Sequence, residues 1–419
     1  MDYNKMKMKR LIIMLAACLS LGTAGMQAQN YCVGGDISML PKYESAGVVY
    51  KDRSGQTVND VLAFYRQQGL NAMRVRLFVN PDPTKDKAVC QDLSYVIALG
   101  KRIKAAGLQF MLDFHYSDTW ADPAKQWTPA AWLALSDNAL YTKIYDYTKD
   151  CLQQLKAAGA EPDLIQTGNE ISYGMLWGAE GSTANHCYAT STANWQRFTT
   201  LLTQAGKACR EVCPAAKIII HTERAAQSSV MLSFYQKMSE AKLDYDIIGL
   251  SYYPAYHKDL NTLEAAIRNL ENNFADKDIM VVETGYSYAW ALANTTFDYT
   301  KTYPYTEEGQ RKFTADLVSM LRKHDSVKGL FWWWPEDNGN KNVTNAWWNA
   351  ALYNHNTGQP YAAFYELKSF VEGRPSAIAT IVSDKPATTG SYDLQGRRVD
   401  ASYKGIVVRD GKKHLQNVR

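Results

Sequence analysis

The stretch Leu164-Ile165-Gln166-Thr167-Gly168-Asn169-Glu170 is the most informative part of this 419-residue sequence. A short apolar run gives way to an asparagine and a glutamate, as happens where a buried strand reaches the edge of a parallel sheet. A carboxylate directly after such a run is costly unless it is paired or functional. Runs of the same kind recur along the chain at residues 32–37, 72–78, 109–115, 218–221, 247–252, 279–283 and 329–334.

Amphipathic stretches lie between these apolar runs, for example at residues 93–106 and 139–158. Gly107 and Gly159 follow these two stretches, at the positions where glycine ends helices. Strands that alternate with helices predict a parallel sheet, and eight such units predict that the sheet closes. An open doubly wound sheet would need a glycine-rich phosphate loop after its first strand, and residues 34–36 (GGD) do not supply one. We therefore expect an α/β fold, a (β/α)8 TIM barrel.

The composition excludes several classes of protein. The formal net charge of +4 is too small to indicate a nucleic-acid partner or binding to an anionic membrane. The 27 Tyr and 11 Trp are suited to carbohydrate binding, because aromatic rings stack on sugar rings while their polar atoms reach hydroxyl groups. The seven cysteines leave disulfide pairing open, and no Cys or His spacing resembles a zinc site. We expect no metal, no cofactor and a monomer.

The N-terminus has the pattern of an export signal. Basic residues at positions 5–10 precede an apolar stretch at 11–21 that is too short to span a bilayer, and Ala28 ends a plausible cleavage site. Residues 15–18 (LAAC) allow a second interpretation, in which Cys18 is lipidated and anchors the chain. We prefer cleavage after Ala28, and either interpretation predicts a protein exported from the cytoplasm, without a transmembrane segment. The predicted organisation is a signal peptide at 1–28, a barrel at 29–375 and a tail at 376–419.

The tail differs in character from the barrel. It contains short alternating runs and turn signals, which predict a small β-rich segment. Residues 392–398 (YDLQGRR) and 404–407 (KGIV) resemble the C-terminal tails of exported Bacteroidetes proteins. This resemblance implies an export or anchoring element, and a flexible basic end is the alternative.

Two glutamates are candidates for catalysis. Glu170 follows one apolar run, and Glu283 ends another three strands later. In a barrel the two side chains would lie at the same face, where the active sites of this fold occur. Hydrolysis of a glycosidic bond needs two carboxyl groups, one to protonate the leaving oxygen and one to attack or to activate water. Other residues at the predicted strand ends are candidates for substrate binding: Asp36, Arg76, His115, Asn169, His221, Tyr252 and Trp334.

Several long motifs resemble glycoside hydrolase family 53, the endo-β-1,4-galactanases. They are residues 112–123 (LDFHYSDTWADP), 166–171 (QTGNEI) and 248–254 (IGLSYYP), supported by 35–38 (GDIS) and 74–76 (RVR). The motifs occur in the family's order and the resemblance extends over about residues 34 to 370. It implies a retaining enzyme that cleaves β-1,4-galactan, with Glu170 as the acid/base and Glu283 as the nucleophile.

Supporting roles follow from position and from this resemblance. Asn169 is expected to hydrogen-bond the sugar 2-hydroxyl, and Tyr252 to hydrogen-bond Glu283. Arg76, together with Arg74, is expected to keep Glu283 ionised, since an adjacent cation lowers a carboxyl pKa; pairing with a structural carboxylate is the alternative. His115 and His221 are expected to shape the pocket. About two of four tryptophans are expected to stack on sugar, the candidates being Trp120, Trp177, Trp332 and Trp334.

The sequence departs from the family in two places. Some bacterial members have an acidic calcium-binding loop after the seventh strand, whereas residues 287–305 contain the single acid Asp298, so calcium is not expected. Residues 331–337 (FWWWPED) are more aromatic than the Trp-Glu-Pro pattern of many relatives. Two alternatives to galactanase activity remain: another two-glutamate barrel glycosidase, such as a mannanase or glucanase, and a non-catalytic polysaccharide-binding protein.

Overall fold

The computed structural model describes residues 31–188, 191–344 and 346–374, together with 391–392, 398–399, 405–409 and 412–416. The predicted signal peptide, with Cys18, lies outside the described residues, as does most of the predicted tail. One compact unit runs from Tyr31 to Arg374, and the predicted domain limits of 29 and 375 remain predictions. Among the described residues, no helix is both long and apolar enough to cross a bilayer.

Eight parallel strands close into a barrel, with each strand paired to the next and the last paired to the first. This confirms the predicted (β/α)8 fold. The strands are buried on both faces, which explains why they appear in the sequence as continuous apolar runs. Their bounds are β1 Cys32–Asp36, β2 Ala72–Leu77, β3 Gln109–Phe114, β4 Leu164–Thr167, β5 Lys217–Thr222, β6 Ile247–Tyr252, β7 Asp278–Thr284 and β8 Val327–Trp333.

Helices follow the strands and cover the outside of the barrel. Side chains at their N-termini accept hydrogen bonds from backbone N–H groups, as Ser136 does from Ala139 and Thr306 does from Gly309. Gly107 and Gly159 have φ of 71° and 76° directly after two helices, as predicted for helix C-termini. The helices are α1 Leu40–Ser45, α2 Val61–Gln67, α3 Leu93–Ala105, α4 Asp137–Ala157, α5 Trp195–Val212, α6 Ser228–Glu240, α7 Pro254–His257, α8 Leu260–Asn273, α9 Glu307–Leu321 and α10 Ala362–Glu366.

Two apolar clusters reflect the two faces of the strands. The larger one fills the layer between strands and helices. The smaller one takes residues from all eight strands, and its members define the inward face of each strand. They are Cys32, Ala72, Met111, Leu164, Ile219, Ile247, Met280, Val282 and Phe331. Counting in steps of two from these residues identifies the side chains that reach the carboxyl end of the barrel.

The described part of the tail is a separate antiparallel sheet. Its strands are β9 Ser391–Tyr392, β10 Arg398–Val399, β11 Gly405–Arg409 and β12 Lys412–Gln416, in the order β10-β9-β11-β12.

Five cysteines of the barrel are buried thiols without a disulfide partner: Cys90, Cys151, Cys187, Cys209 and Cys213. Burial raises the pKa of the Cys151 and Cys187 thiols to about 12, which makes both groups poor nucleophiles. The pairing left open by the sequence is therefore not realised among these five residues.

The closure of the barrel depends on a close approach at Gly34 in β1. A Cβ at this position would lie 1.6 Å from the carbonyl oxygen of Ala72 in β2. We expect Gly34→Ala to destabilise the barrel by about 3 kcal/mol or more, because the strands must separate. Thermal unfolding followed by circular dichroism measures this change.

Gly206→Ala is the matched control, since the nearest atom to a Cβ in this part of α5 is 3.5 Å away. This substitution should raise stability by up to about 1 kcal/mol through helix propensity. Equal melting temperatures for the two variants would contradict the close approach at Gly34.

Candidate active site

A cavity of about 520 Å³ opens at the carboxyl ends of the strands. Both predicted catalytic glutamates line it, so the fold brings together residues that are 113 positions apart in the printed sequence. The cavity combines an aromatic wall with several carboxyl groups. Its lining includes Trp120, Asp122, Asn169, Glu170, Glu223, Tyr253, His257, Glu283, Trp333, Trp334 and Trp347.

A bulge in β7 turns Glu283 into this cavity. The register runs from Leu250–Val281 to Ser251–Glu283, so β7 contains one extra residue at this point. Without the bulge, strict alternation after the inward Val282 would direct Glu283 towards the helices. The local irregularity therefore places the carboxyl group in the barrel mouth.

Glu283 is surrounded by groups that favour its charged form. Arg74 Nη2 lies 2.9 Å from Oε1, and the Tyr253 hydroxyl donates a hydrogen bond of 2.9 Å to Oε2. Burial raises the pKa of Glu283 to about 7, against the lowering effects of Arg74 and Tyr253. Glu283 can therefore ionise near neutral pH. One of its oxygens forms an ion pair with a guanidinium, and the other accepts a hydrogen bond from a phenol.

Arg74, the cation that pairs with Glu283, lies on the inward face of β2. Its guanidinium also contacts Asp36 Oδ2 at 2.9 Å, Asp113 Oδ2 at 2.8 Å and Asn169 Oδ1 at 2.8 Å. This one side chain therefore links the ends of β1, β2, β3, β4 and β7.

The expected role of Arg76 at Glu283 requires correction. The carboxylate partner of Arg76 is Asp36, whose Oδ1 lies 2.7 Å from Nη1. The guanidinium packs 4.8 Å from the ring of Trp333 and 4.9 Å from that of Trp120. Arg76 lies one inward position further along β2 than Arg74, where it contacts the rings of Trp120 and Trp333. The alternative expectation, that Arg76 pairs with a structural carboxylate, is therefore the correct one.

The expected hydrogen bond from Tyr252 to Glu283 is wrong by one residue. Tyr252 points outward, its hydroxyl donates to the Lys258 carbonyl at 3.0 Å and its ring stacks on Phe313. Tyr253 follows on the inward face and makes the contact with Glu283. The period of two in β6 decides this, since Ile247 and Ser251 point inward and Tyr252 cannot.

Glu170 has a different environment from Glu283. It adopts a φ of 47°, an uncommon conformation for a residue with a side chain, and it lines the cavity. The Ser251 hydroxyl donates a hydrogen bond of 2.6 Å to Oε1. Burial, the charge of Glu283 and the charge of Glu223 raise the pKa of Glu170 well above its ordinary value. These effects all favour the protonated form of Glu170.

Asn169, His115 and His221 are positioned by contacts with buried groups around the cavity. Asn169 Nδ2 donates to the Ala121 carbonyl at 2.8 Å while the side chain still lines the cavity. His115 accepts the Ala121 N–H at Nδ1 and lies 3.1 Å from Asp113 through Nε2. Burial lowers the pKa of His115 and of His221, so both rings are neutral supports.

The aromatic wall contains two of the four predicted tryptophans, Trp120 and Trp334. Trp177 and Trp332 are buried elsewhere and donate to the carbonyls of Tyr173 and Ala350. Sequence reasoning missed Trp333 and Trp347, which also line the cavity. Trp333 was detectable, since it lies two residues after the inward Phe331.

Sequence reasoning also missed four polar residues at the mouth. Asp113, Ser251 and Glu223 all lie an even number of positions from inward strand residues, and this alternation is the signal that would have found them. Tyr253 required knowledge of where β6 ends. Glu223 lines the cavity, with Oε1 accepting from Ser172 at 2.6 Å and Oε2 without a protein partner. Within the described ranges, no group of His, Cys, Asp or Glu side chains is arranged to hold a metal ion.

A closed (β/α)8 barrel whose mouth presents two carboxyl groups in unequal environments beside tryptophan rings has the architecture of a glycoside hydrolase. The chain belongs to glycosyl hydrolase family 53, whose family model matches residues 32–365.

Its relatives include proteins that are named as galactanases. An arabinogalactan endo-β-1,4-galactanase of Cellvibrio japonicus is 34% identical over 76% of this chain and 84% of its own. The enzyme of the same name from Thermothelomyces thermophilus is 34% identical over 72% of this chain and 88% of its own. A solved fungal β-1,4-galactanase superposes with a TM-score of 0.69 at 30% identity, and the match covers 80% of this chain and 98% of that one.

Tyr253→Phe tests the assignment of the phenol that contacts Glu283. The hydroxyl stabilises the carboxylate, so its removal should raise the pKa of Glu283. The acidic limb of the kcat/KM profile should then move to higher pH, since less Glu283 is ionised at a given acidic pH.

Tyr252→Phe is the matched control and should leave the acidic limb in place. A shift of the limb in Tyr252→Phe, or none in Tyr253→Phe, would contradict the assignment.

Proposed function

We propose that this protein is a retaining endo-hydrolase that cleaves β-1,4-galactosidic bonds in the galactan or arabinogalactan side chains of pectin. Membership of family 53 and the names of the relatives support the substrate. The unequal environments of the two carboxyl groups support the reaction. The single observation that carries the mechanism is the contact of Glu283 with Arg74 and Tyr253, which Glu170 lacks.

The proposed cycle has two halves. In the first, an ionised oxygen of Glu283 attacks the anomeric carbon, the C–O bond to the leaving sugar breaks, and Glu170 transfers its proton to the leaving oxygen. In the second, Glu170 takes a proton from water, whose oxygen attacks the anomeric carbon and releases Glu283. Two inversions restore the original configuration.

Substrate binding follows from the lining of the cavity. Asn169 is proposed to hydrogen-bond the 2-hydroxyl of the sugar at the cleaved bond. It would use the Nδ2–H that does not donate to Ala121. Trp120, Trp333 and Trp334 form the wall on which sugar rings are proposed to stack. Asp36 acts indirectly, because it holds Arg74 and Arg76 in place.

The alternatives are less well supported. A mannanase or glucanase would use the same pair of carboxyl groups, but the family and the relatives favour galactan. A non-catalytic binding protein would have no need for a buried cation and a phenol aimed at one of two carboxyl groups.

The site of action is proposed to be outside the cytoplasm. The basic and apolar pattern of residues 5–21 supports export, with lipid anchoring through Cys18 as the alternative. The protein is proposed to act as a monomer.

A panel of polysaccharides tests the substrate. Reducing-sugar release should occur from β-1,4-galactan and not from mannan, carboxymethylcellulose or xylan, and short internal fragments should dominate early products. Proton NMR of the first product should show the β-anomer. Activity on another polymer would move the substrate to a related family, and an initial α-anomer would contradict retention.

Glu283→Gln tests the nucleophile. Turnover of galactan should fall by about 10⁴-fold or more, as for the loss of other enzyme nucleophiles, with little change in melting temperature. Glu336→Gln is the matched control, because this buried carboxyl group does not line the cavity and burial raises its pKa well above the ordinary value, which favours the neutral form that Gln mimics. Near wild-type activity in Glu283→Gln would refute the assignment.

A further inference from the structure

We propose that Ser251, with His221 behind it, is a positioning residue that confines the transferable proton of Glu170 to Oε2, the oxygen left for the substrate. The inference rests on the proposed role of Glu170 as the acid/base. It starts from a chain of buried hydrogen bonds that ends on Glu170 and that the catalytic cycle described above does not use.

Ser251 lies on the inward face of β6 and is fully buried. Its Oγ is 2.6 Å from Glu170 Oε1 and 2.9 Å from His221 Nε2. A serine hydroxyl has one proton and can donate to only one of these two neighbours. The protonation of His221 therefore decides what Ser251 offers to Glu170.

The surroundings of His221 select one tautomer. Burial and the charge of Arg74 hold the pKa of His221 well below its ordinary value, so the ring is neutral and has one proton. Nδ1 faces the N–H groups of Gln166, at 3.0 Å, and of the Glu170 backbone, at 3.4 Å. Asn169 Oδ1 is also 3.0 Å away, but the N–H groups of Arg74, at 2.8 Å, and of Gln166, at 3.2 Å, already face its two lone pairs. Nδ1 therefore accepts, and the proton is on Nε2.

Gln166 is oriented in turn by Asp113. Its Nε2 donates to Asp113 Oδ1 at 2.6 Å, and a carboxylate oxygen would repel the amide oxygen. The amide nitrogen must therefore point towards Asp113 and His221. The hydrogen bonds run in one direction, from Gln166 to His221, from His221 to Ser251 and from Ser251 to Glu170.

As a consequence, the Ser251 hydroxyl always donates its hydrogen bond to Glu170 Oε1. The acid proton is excluded from Oε1 and is confined to Oε2, on a side chain that lines the cavity. In the first half of the cycle the Oε2–H bond breaks as a bond forms between this proton and the leaving oxygen. In the second half Oε2 receives a proton from water. The bond from Ser251 to Oε1 persists through both steps, so the chain needs no rearrangement.

The charged and titratable groups around this series of hydrogen bonds are the same in the wild type and in the variants below. Glu170 faces Glu283, Glu223 and Asp122. His221 faces Arg74, Asp113, His115 and His257.

Ser251→Ala is the direct test, with two substrates that differ in their need for a proton. Galactan has a poor leaving group and requires protonation, whereas a 2,4-dinitrophenyl β-galactobioside does not. General acid catalysis contributes about 10²–10⁴-fold, so we expect kcat/KM on galactan to fall by about 10-fold and kcat/KM on the aryl substrate to change by less than about threefold. The basic limb on galactan should move to higher pH, because Ser251 stabilises the ionised form of Glu170.

Two further variants separate positioning from a general structural role. Ser251→Thr keeps the hydroxyl and should restore activity on galactan. Ser287→Ala removes a buried hydroxyl near the same end of the barrel, outside the chain, and should preserve the ratio of the two kcat/KM values. Equal losses on both substrates in Ser251→Ala, or full activity on galactan, would overturn the proposal. Wild-type protein inactive on both substrates would instead refute the proposed function.

Discussion

The buried guanidinium of Arg74 is the interaction on which the mouth of the barrel depends. It lies within 2.9 Å of carboxylate oxygens from Asp36, Asp113 and Glu283. Burial works to raise the pKa of Asp113, yet Arg74 holds it below its ordinary value. Breaking a buried ion pair from one side costs about 3–5 kcal/mol, so loss of this cation would leave several carboxylates without compensation. The same cation stabilises the fold and the charge of Glu283.

The difference between the environments of Glu170 and Glu283, the two proposed catalytic residues, follows from this arrangement. Both are buried at one cavity, and burial raises the pKa of each. Glu283 has a cation and a phenol, whereas Glu170 has a serine hydroxyl and faces further negative charge. Since two neighbouring carboxyl groups cannot both ionise easily, these contacts favour the charged form of Glu283 and the protonated form of Glu170. Two identical side chains are thereby suited to the proposed roles of proton donor and nucleophile.

The sequence predicted the strands, their order in a closed barrel and the residues that end them. It also identified Glu170, Glu283 and Asn169, which all line the cavity. It failed where the direction of a side chain mattered, as with Tyr252 against Tyr253. Alternation along a strand was available in the sequence, but it needs a known inward residue as its origin, and that origin became clear only once the barrel was closed.

The architecture follows from the amino-acid sequence alone, because apolar runs and amphipathic stretches must bury their apolar surfaces in the same alternating order in which they occur. The chemistry of the site depends instead on contacts that form when the chain folds. The pairing of Arg74 with Glu283, the bulge that turns Glu283 inward and the direction of the hydrogen bonds that reach Glu170 all join residues that are distant in sequence. Charge and proton position depend on distances between strands, and closure of the barrel sets those distances.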